Sequence, residues 1–140
     1  MKIKIPLIIF CITISYLVFP QTYNIEIKVP NIDKIEGQIL IAVYNSGETF
    51  LVQKEAFKVY AEDVKEKTMS FTFNDFPKGE YSIALFHDED SNGKMKRNFL
   101  GIPSEDYGFS NITSMLFSRP SYEDTRFYLE SDTSFVVELQ

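Results

Sequence analysis

Along most of the chain, apolar side chains recur at every second position, the period of a strand whose two faces meet different surroundings. Tyr23, Ile25, Ile27 and Val29 alternate with Asn24, Glu26 and Lys28, which predicts a half-buried strand ended by Pro30-Asn31. Ile39, Ile41 and Val43 alternate with Leu40, Ala42 and Tyr44, so this run is apolar on both faces and predicts a central strand. Asn45-Ser46-Gly47 supplies a turn. Met69, Phe71 and Phe73 form another alternating run that stops at Asn74-Asp75. After a turn at Pro77-Lys78-Gly79, Tyr81, Ile83, Leu85 and His87 point one way and Ser82, Ala84, Phe86 and Asp88 the other. Towards the end, Thr125, Phe127 and Leu129 alternate with Arg126, Tyr128 and Glu130. Beyond Ser131-Asp132, Phe135, Val137 and Leu139 close the chain, and the short spacing predicts a hairpin from these last two runs.

Two stretches are less regular. Residues 48–66 mix Phe50, Leu51, Ala56, Phe57, Val59 and Tyr60 with charges, the pattern of a short helical turn followed by a strand. Residues 88–123 hold no convincing strand, because Gly93, Gly101, Pro103, Gly108 and Pro120 interrupt them throughout. A loop of that length inside a compact domain is unusual, and long ordered loops often carry function. Roughly seven strands, turns between them and no long helix predict an all-β, two-sheet antiparallel sandwich with one long loop; an up-and-down barrel is the competing architecture.

The first twenty residues follow no strand period. Lys2 and Lys4 precede an uncharged stretch from Ile5 to Phe19, the pattern of a secretory signal, and the stretch is short for a spanning helix. The expectation is a cleaved signal over residues 1–21 and a single domain over 22–140, exported to the periplasm, the outer surface or the medium. Cys11, the only cysteine, lies inside that signal behind Phe10, which does not suit a lipidated cysteine, so the mature domain would have neither disulfide nor thiolate chemistry. The formal charge of −6 becomes −8 once Lys2 and Lys4 are gone. Such a balance argues against nucleic acid and anionic lipid as partners, since both select clustered Lys and Arg.

Candidate chemistry gathers in His87-Asp88-Glu89-Asp90-Ser91-Asn92-Gly93-Lys94. Oxygens at alternate positions can converge on one hard cation, and a glycine after the third ligand permits the sharp turn. Asp88, Asp90 and Asn92 would ligate calcium through side chains and Lys94 through its carbonyl. Phe99 stands where a full EF-hand loop has its bidentate glutamate, and Lys96 occupies the ninth position, so Glu105, Asp106 or Glu89 would have to complete the shell, Glu105 first among them. The competing reading is a polar turn whose Asp and Asn side chains cap their own backbone. His87, the only histidine, shares a strand face with Ile83 and Leu85, as a packed residue at the core edge does; with the nearby acids it would be a transition-metal ligand instead. Tyr107, Phe109 and Tyr122 could stack on sugars, but large apolar side chains more often pack a loop onto its sheet. No thiol nucleophile, Gly-x-Ser-x-Gly elbow or phosphate-cradling loop occurs in the mature chain.

One ordered set of residues is not generic: Phe76-Pro77-x-Gly79-x-Tyr81, His87-Asp88, Asn92-Gly93, then Asn98-x-Leu100-Gly101-Ile102-Pro103-x-Glu105-x-Tyr107-Gly108-Phe109-Ser110-Asn111. It resembles the uncharacterised secreted bacterial family known as domain of unknown function 2141, over about residues 23–139. That resemblance implies export and an immunoglobulin-like or prealbumin-like sandwich, and brings no activity with it. It also implies an acid at the position of Lys96, a departure that would weaken a cation site there. Together these readings predict a monomeric, non-enzymatic envelope or secreted domain whose 88–111 loop binds calcium or a protein or carbohydrate partner. The alternatives are a purely structural envelope domain and, from another class, a carbohydrate-active hydrolase working through loop carboxylates.

Overall fold

The computed structural model describes residues 21–113 and 118–140, so the predicted signal lies outside the described residues except for Gln21. No helix among them is long and apolar enough to cross a membrane. Among the described residues eight strands form: β1 (Thr22–Val29), β2 (Gln38–Tyr44), β3 (Lys58–Asp63), β4 (Met69–Pro77), β5 (Gly79–Asp88), β6 (Tyr107–Phe109), β7 (Phe127–Leu129) and β8 (Thr133–Val136). One sheet has the order β4-β1-β8, the other β3-β2-β5-β6, with β7 paired to the start of β5. The two sheets pack face to face as an all-β sandwich.

The alternation in the sequence becomes the core directly. Ile25, Ile27 and Val29 of β1 face Ile39, Ile41 and Val43 of β2 and Ile83 and Leu85 of β5, all at 2 % exposure or less. Phe71, Phe73 and Phe76 fill the β4 side, and Tyr60 stacks on Phe73 at 4.0 Å between ring centroids. Each such side chain contributes about 1.5–3 kcal/mol when withdrawn from water. β4 and β5 are nearly one strand: only Lys78 separates them, and there the chain leaves the first sheet and enters the second.

β2 is apolar on both faces because the second sheet is covered twice. Its inner face meets the sandwich core, while on its outer face Ala42 and Tyr44 pack against Phe50 from the following loop, Phe109 of β6 and Tyr122. Phe50 is the hub of that outer cluster, with ring centroids 5.5 Å from Tyr44 and 5.7 Å from Tyr122. Tyr107, Phe109 and Tyr122 thus pack the loop onto the sheet rather than forming a displayed stacking platform. The irregular 48–66 stretch folds as expected, with a 3-10 turn at Gln53–Glu55 followed by β3.

Three local expectations are corrected. The last two apolar runs do not form a hairpin: β7 hydrogen-bonds the start of β5 in one sheet and β8 runs parallel to β1 in the other. Each finds unpaired backbone at a different sheet edge, and Asp132 secures the crossing by accepting from the Asn24 amide at 2.8 Å. Thr125 is not a strand residue but ends a short helix, α1 (Tyr122–Thr125), started by a capping box in which Ser121 and Asp124 bond reciprocally. The 88–123 stretch, read as strandless, contains β6, whose three residues pair with β5 across Ala84, Leu85 and Phe86.

Candidate functional site

Asp88 is the last residue of β5, and the period of two turns its side chain to the outer face, where it is fully buried. One carboxylate oxygen accepts from the Asn92 amide at 3.1 Å; the other accepts from the Gly93 amide at 2.7 Å and from Gln38 Nε2 at 2.6 Å. Gly93 sits at φ +75°, which lets the chain fold back over this carboxylate. Burial works to raise the Asp88 pKa, but the hydrogen bonds from Gln38, Gly93 and Asn92 outweigh it and hold the carboxyl below its ordinary value.

Asp90 accepts from the Asn92 amide at 3.2 Å, and Asn92 Oδ1 accepts from the Lys94 amide at 2.8 Å. Glu105, at 5 % exposure, ties the two ends of the segment together. Its oxygens accept from the Glu89 amide at 3.1 Å and the Lys96 amide at 2.7 Å. The result is a cluster in which one carboxylate oxygen each from Asp88, Asp90 and Glu105 lies within 4.8 Å of the others. Beside it opens a cleft of about 360 Å³ lined by Glu36, Glu89, Asp90, Lys96, Ser104 and Glu105.

Three of the five sequence candidates therefore converge. Asn92 stays in the same turn with its carboxamide oxygen engaged by Lys94, and Lys94 is exposed. His87 points away: it is buried on the core side of β5, and its Nε2 lies 2.7 Å from the Glu36 carbonyl. This is the packed core-edge histidine, apart from the acids. Gln38 was not legible as part of the site. It lies 50 residues from Asp88, and only the β2–β5 register sets the two opposite each other; its one signal is that it is the polar residue opening an otherwise apolar strand.

Past the cluster, the chain forms a small hairpin whose ends meet at an Arg97–Pro103 bridge. Asn98 orders its tip, with Oδ1 accepting from the Leu100 and Ile102 amides at 2.9 and 3.1 Å. Phe99, Leu100 and Ile102 stand on that tip at 94, 67 and 54 % exposure. Periodicity could not flag them, because apolar residues in a loop carry no sign of which way they face.

Chemically, the cluster supplies hard, anionic oxygens held by a preorganised loop. That donor set suits an oxygen-seeking cation such as calcium and does not suit zinc or copper, which favour imidazole and thiolate. The donors present fit such an ion, since each carboxylate retains lone-pair capacity beyond its amide bonds.

The family model described as an uncharacterised protein conserved in bacteria (DUF2141) matches residues 27–136. No curated protein and no solved structure matches the chain.

Proposed function

The chain belongs to the DUF2141 family of uncharacterised bacterial proteins, and we propose that it is an exported, non-enzymatic binding domain whose 88–105 loop holds a calcium ion. The observation that carries this reading is the convergence of Asp88, Asp90 and Glu105 within 4.8 Å on a loop turned by Gly93. Export is supported by the charge and apolar pattern of residues 1–19. A non-enzymatic role is supported by the histidine, which is committed to packing against the Glu36 carbonyl rather than facing the acids. Asp88, Asp90 and Glu105 would ligate directly, with Asn92 and the Lys94 carbonyl near enough in sequence to join, and water completing the six to eight oxygens calcium takes. The ion would brace the base of the hairpin that displays Phe99, Leu100 and Ile102, the surface available to a partner in the envelope.

A second reading, a purely structural loop, is favoured by one fact: each of the three carboxylates already accepts a backbone amide. Melting temperature in millimolar calcium and in excess chelator separates the two. Calcium at ~100 times its dissociation constant adds ~2.7 kcal/mol, a rise of roughly 10 °C for a domain of this size. Asp90→Ala should abolish that rise while leaving stability in chelator nearly intact, because Asp90 is exposed and accepts one amide. Identical melting with and without calcium would sink the cation reading and leave the structural one.

A further inference from the structure

On the outer face of the second sheet, a few residues from the acidic cluster, lies a cavity of about 210 Å³. Leu40, Ala42 and Ala84 form its floor, and Met95 and Phe109 stand in its walls. The small side chains at 42 and 84 leave the space, since β2 and β5 pair there Ala against Ala. A cavity of ~150 Å³ lined by aliphatic and aromatic side chains accepts benzene, so this one is sized for a substituted ring or a chain of about eight carbons.

The cavity is not purely apolar. Of the three arginines in this net-acidic chain, two, Arg97 and Arg119, line it. The third, Arg126, is neutralised by Glu80 and Glu123, each at 2.6 Å. By contrast, neither Arg97 nor Arg119 has a salt-bridge partner among the described residues. Arg97 donates through Nη1 to the Gly101 carbonyl at 2.9 Å, leaving the rest of its fork of donors. Arg119 lines the cavity together with Tyr44. Two guanidinium groups beside low-dielectric walls create a local positive field that the overall charge conceals, and their planar forks match a carboxylate.

We infer that this cavity binds a small amphipathic anion, an aryl or medium-chain carboxylate whose apolar body rests on Ala42 and Ala84 and whose charged end meets Arg97 and Arg119. The site is separate from the acidic cluster and requires no cation there. It shares one structural wall with it: Gln53, in the cavity lining, donates to the Gly93 carbonyl at 3.1 Å.

The test titrates the purified protein with 3-phenylpropionate and with its neutral counterpart 3-phenylpropanol, following the methyl resonances of Ala42, Ala84 and Met95. Saturable shifts at these methyls are expected, with the alcohol weaker by about tenfold, the worth of one charge-assisted contact. Arg119→Gln should weaken the carboxylate by a similar factor and leave the alcohol unchanged. Ala84→Leu should abolish both by filling the space, and Leu51→Phe does the same from the loop side if the first variant melts early. Absence of saturable shifts at low-millimolar ligand, equal affinity for acid and alcohol, or undiminished carboxylate binding in the Arg97→Gln/Arg119→Gln double variant each overturns the inference.

Discussion

Replacing Asp88 by alanine tests whether a carboxylate, rather than a bound ion, folds the 88–96 segment. The side chain is fully buried and accepts from Gln38 Nε2, the Asn92 amide and the Gly93 amide. Hydrogen bonds to a charged partner are each worth about 1.5–3 kcal/mol net. Asn92 is exposed and Gly93 and Gln38 half-buried, so water can recover part of that loss, and the desolvation cost of the carboxylate is also relieved. A net loss of about 3 kcal/mol remains, a sizeable share of the total for ~120 residues at roughly 0.05–0.15 kcal/mol each. It should appear in urea unfolding at neutral pH, with chelator present throughout, and as a fall of roughly 10 °C in melting temperature. Asp88→Asn should cost nearly as much, because its NH2 group must face either the Asn92 amide or the Gly93 amide, donor against donor. The wild-type acid limb should change as well. A carboxyl held below its ordinary value of 3.8 contributes stability present above that value and lost as pH falls through its folded pKa. Asp88→Ala should therefore flatten the stability profile below about pH 4. A loss smaller than about 1 kcal/mol in chelator, or one seen only with calcium, would refute the capping argument.

Two further outcomes rest on the packing around Gly37 and the buried tyrosines. Gly37→Ala should destabilise by more than about 2 kcal/mol in urea unfolding: Gly37 has φ +67°, and an added Cβ would collide with the Asp88 carbonyl and lie 2.7 Å from Glu89 Cα. A cost under about 0.5 kcal/mol would mean that the loop base is not seated against Gly37 as described. In alkali, burial first and the Glu80 charge second push the Tyr122 phenol up to about 12, and burial also raises Tyr44, Tyr60 and Tyr81. The unfolded chain gives up these protons from about pH 10, so stability should fall between pH 10 and 12, by on the order of 1 kcal/mol from Tyr122 once solvent screening is allowed for. Because the Tyr122 hydroxyl has no hydrogen-bond partner among the described residues, Tyr122→Phe should be nearly silent at pH 7 and should soften the alkaline loss. An unchanged alkaline limb in that variant would contradict the burial account.

The strands were legible because a period of two is a local property: Ile25, Ile27 and Val29 face inward whichever strand lies beside them. The sandwich and the double cover of β2 were likewise readable, since residues apolar on both faces need two apolar neighbours. The Asp88–Asn92–Gly93 turn was visible for a similar reason, its hydrogen bonds closing within five residues.

What spans the chain was not readable. Phe127–Leu129 and Thr133–Val136 carry the right alternation for a hairpin, yet they join different sheets, because pairing depends on which edges the rest of the fold leaves open. Gln38 reaches Asp88 only through the β2–β5 register, and Glu105 reaches it only when the intervening hairpin folds back. The exposure of Phe99 and the cavity over Ala42 and Ala84 are decided later still, by which side chains the loops bring to cover the sheet. Residue order therefore determined the strands, their buried faces and the turn that holds the candidate ligands. Tertiary structure alone decided the strand partners, whether Glu105 reaches the other two carboxylates, and the gathering of two arginines at the cavity, because these depend on distances between segments that no local pattern encodes.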